Sequence, residues 1–192
     1  MSAQKELRKI AKEISKCEEC KKNKFGLPVP GEGNPNAEIM FIGESPGPQE
    51  AKIGRPFVGR SGKFLNSLLQ SIELKREEVF ITSPIKYYLG KRKPKNEEIE
   101  HGKTHLLKQV GAVNPKVVVL LGNIAIKVLL GGKYAVSKIH GKIFHKNGRI
   151  YFATFHPSAA MRFPEIREQT KKDFNKLKKV ISNLWKNANT NR

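Results

Sequence analysis

Apolar and polar positions follow two different patterns along this chain. Residues 4–16 place Leu7, Ile10, Ala11 and Ile14 at helical spacing among charged residues, which predicts an amphipathic helix. Residues 115–122, PKVVVLLG, instead contain a continuous apolar run after Lys116. Such a run is typical of a parallel strand that helices cover on both faces.

Strand-like and helix-like segments alternate over the rest of the chain. This order predicts a three-layer α/β/α fold with a central four-stranded, mainly parallel sheet. We expect a single domain over residues 1–192, with a disordered tail at 186–192. The other predicted strands are 37–44, 77–83 and a segment that follows a turn at 146–148 and ends at His156; the other predicted helices are 61–72, 95–113, 123–132 and 163–185.

The charge balance points to a polyanionic partner. The chain has 37 Lys plus Arg against 17 Asp plus Glu, a formal net charge of +20 at pH 7. Nucleic acid relieves the self-repulsion of such an excess, although a lysine-rich thermophilic or AT-rich source is an alternative explanation. No apolar run reaches the roughly 18 residues of a membrane span, and the N-terminus lacks a signal-peptide pattern. We expect a cytoplasmic, nucleoid-associated monomer.

Two loops at the predicted carboxyl edge of the sheet carry candidate chemistry. The glycine-rich loop 43–62 contains Glu44, Glu50 and Phe57, but it matches neither a P-loop nor a dinucleotide-binding pattern. The loop FHPSAA places His156 at a strand end beside a proline, where the imidazole could be a fixed hydrogen-bond donor. The alternatives are a rigid loop with a core phenylalanine and a histidine that only caps a helix.

Several motifs in order resemble the uracil-DNA glycosylases of family 4, the thermostable bacterial and archaeal type. These are GEGNPNAEIMFIGESPGPQEAKIGRPFVGRSGKFL, VFITSPIK, VVVLLGNIA and TFHPSAAMR, and the similarity extends from about Cys17 to Arg162. The resemblance implies a monofunctional glycosylase of base excision repair. Such an enzyme flips uracil out of DNA, hydrolyses its N-glycosidic bond and leaves an abasic site.

The resemblance also implies residue roles. His156 would stabilise the departing uracil, and Glu44 would lie beside the water or the sugar cation. Phe57 would stack under the flipped base, while Met161 would fill the gap left in the duplex. The full base-binding set is Gly43, Ser45, Glu50, Phe57, Ser83 and Asn123, and the DNA-binding set is Arg60, Lys86, Lys91, Arg92, Lys93, Ser158, Met161 and Arg162.

One departure from the family concerns recognition of the base. The family has asparagine where this chain has Ser83, and a hydroxyl cannot offer the paired donor and acceptor of an amide. Two alternatives therefore stay open beside uracil excision. The chain could prefer another deaminated base, hypoxanthine or xanthine, or it could bind uracil-containing DNA with little turnover.

A second departure concerns the family's iron–sulfur cluster, which four cysteines hold. Cys17 and Cys20 match the first pair, but the third position falls at Tyr87 and the fourth near residue 101. Two thiolates cannot supply the usual ligand set. We expect no cofactor, with a 4Fe–4S cluster, or a mixed metal site that uses His101 or His105, as the alternatives.

Overall fold

The computed structural model describes residues 2–190, with side chains to residue 186. The predicted tail thus lies mostly outside the described side chains and stays a prediction, although the last helix is assigned as far as Thr190. The described strands are Glu32–Gly33 (β1), Ile39–Ile42 (β2), Phe80–Thr82 (β3), Val117–Leu121 (β4), Ile143–Lys146 (β5) and Arg149–Thr154 (β6). The described α-helices are Ala3–Lys16 (α1), Glu18–Lys21 (α2), Pro48–Ile53 (α3), Arg60–Ser71 (α4), Asn96–Val113 (α5), Asn123–Leu130 (α6), Val136–Ile139 (α7), Pro157–Arg162 (α8) and Pro164–Thr190 (α9).

The strands form one sheet in the order β1-β3-β2-β4-β6-β5. The four inner strands are parallel, as predicted, so the α/β class is confirmed. The predicted number of strands is wrong, because two antiparallel edge strands raise it from four to six over the described residues. β1 is too short to produce a pattern in the sequence, and β5 is largely exposed, so neither forms an apolar run.

Helices cover both faces of the sheet because alternate strand residues point to opposite sides. On β2, Met40 joins the core under α5 and α6, whereas its neighbour Phe41 joins the core under α4 and α9. Phe41 stacks on Phe174 of α9, with ring centroids 6.1 Å apart. Among the described residues, no helix has an apolar stretch long enough to cross a membrane.

The N-terminal helices α1 and α2 pack on α5 and form a small third core. It contains Ile10, Ile14, Cys20 and Tyr87, all of them buried. Tyr87 follows β3, so this core joins the start of the chain to the segment that leaves the carboxyl edge of the sheet. Tyr87 therefore packs beside Cys20 in this core.

Candidate active site

A cavity of about 520 Å³ opens at the carboxyl ends of the parallel strands. Loops that follow β2, β3, β4 and β6 all contribute to it, as expected for a parallel sheet. The two loops singled out from the sequence each contain a short helix, α3 and α8, which the sequence did not predict. The predicted site residues that line the cavity are Glu44, Ser45, Glu50, Phe57, Ser83, Asn123, His156, Ser158 and Arg162.

The imidazole of His156 is held in one orientation at the start of α8. Its Nδ1 accepts a hydrogen bond from the backbone N–H of Ser158 at 3.2 Å and lies 2.7 Å from the Ser158 hydroxyl. Since Nδ1 accepts, the proton of the neutral ring sits on Nε2. Nε2 is buried and has no hydrogen-bond partner among the described residues. Burial also lowers the pKa of His156 to about 4, so the ring is a neutral donor at pH 7.

Two glycines allow the rings of Phe57 and His156 to approach each other. A Cβ on Gly43 would lie 2.7 Å from the Phe57 ring and 3.6 Å from His156 Nε2. Gly122 has a φ of +87°, and a Cβ there would lie 2.9 Å from the Cβ of His156. The two rings are 5.7 Å apart, so they form adjacent walls of one cavity. A planar ligand stacked on Phe57 would therefore present its edge to the histidine.

Phe57 itself has a φ of +50°, which is unusual for a residue with a bulky side chain. The guanidinium of Arg76 donates hydrogen bonds to the carbonyls of Pro56 and Phe57 and pairs with Glu32 at 2.8 Å. These contacts hold the strained turn in place. Sequence reasoning missed this support, because Arg76 lies in a charged segment with no distinguishing motif.

Glu50 lines the cavity, but its carboxylate is already engaged. It accepts hydrogen bonds from the backbone N–H groups of Gly47, Val58 and Gly59 at 3.1, 2.8 and 2.7 Å. The side chain is buried, with 6% of its surface exposed. Glu50 thus ties together the two ends of the glycine-rich loop, and this contact fixes the backbone on both sides of Phe57.

Glu44, by contrast, is a half-buried carboxylate in the cavity wall. Burial raises the pKa of Glu44 above its usual value, and the positive charge of Lys93 offsets part of that effect. The carboxylate and the neutral imidazole are thus available in one cavity, a combination suited to a reaction that separates charge.

Comparison with known proteins agrees with this geometry. A family model described as the Uracil DNA glycosylase superfamily matches residues 30–182. The chain belongs to this superfamily. It is similar to several proteins named type-4 uracil-DNA glycosylase. The relative from Saccharolobus solfataricus is 40% identical over 184 residues, which cover 90% of this chain and 85% of the relative. The relative from Sulfurisphaera tokodaii is 38% identical, covering 91% and 84%, and that from Thermotoga maritima is 37% identical, covering 94% and 98%.

Two polar residues that were predicted to bind the base already form hydrogen bonds within the protein. The hydroxyl of Ser83 donates to the carbonyl of Ile85 at 2.7 Å, which leaves its oxygen as an acceptor toward the cavity. The side-chain oxygen of Asn123 accepts from the backbone N–H of Val136 at 2.8 Å, which leaves its amide nitrogen as a donor. Together they supply one acceptor and one donor from different loops.

The DNA-facing predictions need one clear correction. Lys86 is not a surface residue: only 2% of it is exposed, and Nζ donates to Thr82 Oγ1, Gln109 Oε1 and the carbonyl of Pro30. Burial lowers the pKa of Lys86 to about 7. Lys86 therefore braces the interior beside β3 and cannot contact a DNA backbone.

The other predicted DNA contacts lie on or near the surface. Arg92 is exposed, but it forms a bidentate pair with Glu98 at 2.7 Å and donates to the carbonyl of Asn23. This pair fixes the basic loop to α5. Met161 is half-buried on α8, whereas the nearby Phe163 is 55% exposed. The remaining members of the predicted set are exposed: Arg60, Lys91, Lys93, Ser158 and Arg162.

Four side chains with metal-ligating atoms meet where α2 packs on α5. The ligand atoms of Cys17, Cys20, His101 and His105 are all within 4.8 Å of one another. This set does not fit the family's iron–sulfur cluster, which takes four thiolates. Each ligand of such a cluster also binds a different iron atom, which requires a wider spacing than four atoms grouped around one point.

Proposed function

We propose that the chain is a monofunctional DNA glycosylase that removes uracil from DNA. The observation that carries this proposal is the neutral His156 ring, whose Nε2–H is buried beside Phe57 and lacks a protein acceptor in the described structure. A donor left without a partner at the wall of a cavity is suited to an oxygen that becomes negative during the reaction. The named type-4 relatives support uracil as the base.

In the proposed reaction, the flipped uracil stacks on Phe57 with one carbonyl directed at His156. Cleavage of the bond between N1 of the base and C1′ of the sugar leaves the electron pair on uracil and positive charge on the sugar. His156 Nε2–H stabilises the uracil anion. The Glu44 carboxylate stabilises the sugar cation and orients the water whose oxygen joins C1′, and a proton from that water ends on the departing base.

Recognition of uracil is proposed to be divided between two loops. The N3–H of uracil would donate to the Ser83 oxygen, and the O4 carbonyl would accept from the Asn123 amide nitrogen. Two groups on separate loops distinguish uracil from other bases less sharply than one side-chain amide would. Excision of hypoxanthine or xanthine is therefore the second candidate activity. We also propose that the enzyme is a monomer and that it acts on DNA in the cytoplasm.

The test uses oligonucleotides that each contain one lesion: uracil, hypoxanthine or xanthine. The protein is incubated with each substrate, and alkali then cleaves the strand wherever an abasic site has formed. We expect strand cleavage with uracil and a much lower rate with His156→Asn. Tight binding of the uracil substrate without cleavage would contradict the proposal and favour a binding protein, while faster cleavage at another base would reassign the substrate.

A further inference from the structure

Four side chains, two from the N-terminal segment and two from the middle of the chain, meet where α2 packs on α5. Cys17 precedes α2 and Cys20 lies within it, whereas His101 and His105 are one helical turn apart on α5. His101 Nε2 is 3.2 Å from Cys17 Sγ and 3.3 Å from Cys20 Sγ. Residues four apart on a helix share one face, so both imidazoles are directed at the same thiols.

This spacing fits a single ion. A tetrahedral zinc ion with bonds of about 2.0 Å to nitrogen and about 2.3 Å to sulfur places its ligand atoms roughly 3.3–3.8 Å apart. Small shifts would bring a set already within 4.8 Å into that range. The sequence spacing agrees, because two residues separate the cysteines and three separate the histidines.

A second observation points to a ligand. His105 is 7% exposed, and its Nδ1 is buried without a hydrogen-bond partner in the part of the chain that the structure describes. An unpaired buried nitrogen is costly, and a bound ion would remove that cost. Two thiolates would also balance the +2 charge of the ion, so the occupied site would be neutral. A neutral site suits this largely buried position, because burying an uncompensated charge is costly.

We propose that Cys17, Cys20, His101 and His105 bind one Zn²⁺ ion at the position where the family carries its iron–sulfur cluster. Each ligand is supplied by the chain and the coordination shell is closed, so the ion is structural. It joins α2 to α5 and stabilises the small core that contains Tyr87. The proposal concerns folding and metal content, and it stands or falls independently of the excised base.

The first test measures the metal content of the protein in two states. One is the protein purified without added metal, and the other is the same protein after Zn²⁺ has been supplied and the excess removed. We expect about one zinc per chain and no stoichiometric iron or sulfide. Protein stripped by a chelator should bind Zn²⁺ in a one-to-one titration, and Co²⁺ should give the visible bands of tetrahedral sulfur coordination. Stoichiometric iron with sulfide, or no saturable binding of Zn²⁺ by the stripped protein, would overturn the proposal.

Variants identify the ligands. Cys20→Ser and His105→Gln should each lower zinc affinity by at least tenfold, and the stripped wild-type protein should melt several degrees below the zinc-loaded form. The matched control is His145→Gln, because His145 is an exposed histidine on β5. It should bind zinc as tightly as the wild type. Equal affinity in His105→Gln would remove that residue from the site, and if a variant does not fold, the titration of stripped wild-type protein still decides the question.

Discussion

Replacing His156 separates two roles that the structure assigns to one side chain. The ring caps α8 through the Ser158 N–H, and its Nε2–H is the proposed donor to uracil. His156→Ala removes both roles. His156→Asn keeps a good capping residue but loses the Nε2–H donor, since its side chain is shorter.

The expected sizes of the two effects differ. Loss of a preorganised donor to a developing anion costs about 10²–10³ in rate. Loss of a helix cap costs about 1 kcal/mol of stability, which is roughly 2–4 °C in melting temperature for a chain of this length. We therefore expect both variants to be slow, but only His156→Ala to melt at a clearly lower temperature.

The rate is measured as single-turnover excision from a uracil-containing single strand, detected by alkali cleavage, and the melting temperature is measured by circular dichroism. A wild-type rate in His156→Asn would refute the donor role. It would leave the histidine as a cap and would assign catalysis to Glu44 and the glycine-rich loop.

The pH dependence gives an independent check on the same residue. In the unfolded chain the histidine takes up a proton near its ordinary pKa of 6.5, whereas the folded form does so only near 4. The unfolded state therefore binds more protons between these values, and stability falls as the pH is lowered through that window. We expect His156→Asn to lose this part of the pH dependence. An unchanged profile would mean that the imidazole is not desolvated as the structure indicates.

Three further predictions concern the rest of the site. Because burial raises the pKa of Glu44, the excision rate should fall at acid pH with a midpoint above 4.5. The pH–rate profile of Glu44→Gln should lack this fall, and a fall that persists would belong to another group. The double variant Lys91→Ala, Lys93→Ala should reduce the slope of log binding constant against log salt concentration by the equivalent of up to about two phosphate contacts. An unchanged slope would mean that neither lysine contacts the DNA. Met161→Ala should slow excision from duplex far more than from single strands; if Phe163→Ala does so instead, the exposed ring is the wedge.

Local patterns in the sequence determined the α/β class and the position of the site. Continuous apolar runs become the inner parallel strands, and the loops after them meet at one edge because parallel strands end together. His156 and Phe57 could be proposed as site residues because one ends an apolar run and the other interrupts a glycine-rich loop. Edge strands such as β5 escaped prediction, because exposed strands carry no apolar run.

Tertiary structure decided what each polar side chain does. Lys86 resembles its basic neighbours in the sequence, yet three oxygens from Pro30, Thr82 and Gln109 meet around its ammonium. Glu50 was expected to face a base, but the fold directs three backbone N–H groups at it.

The group of Cys17, Cys20, His101 and His105 shows the same limit. The family resemblance suggested a mixed site with His101 or His105 only as an alternative, because His101 lies 84 residues from Cys17 along the chain and no local pattern connects them. Only the packing of α2 on α5 brings these side chains together. Periodicity reports which face of an element is buried, whereas the partners of a polar atom depend on segments that are distant in sequence and become neighbours only in the folded chain.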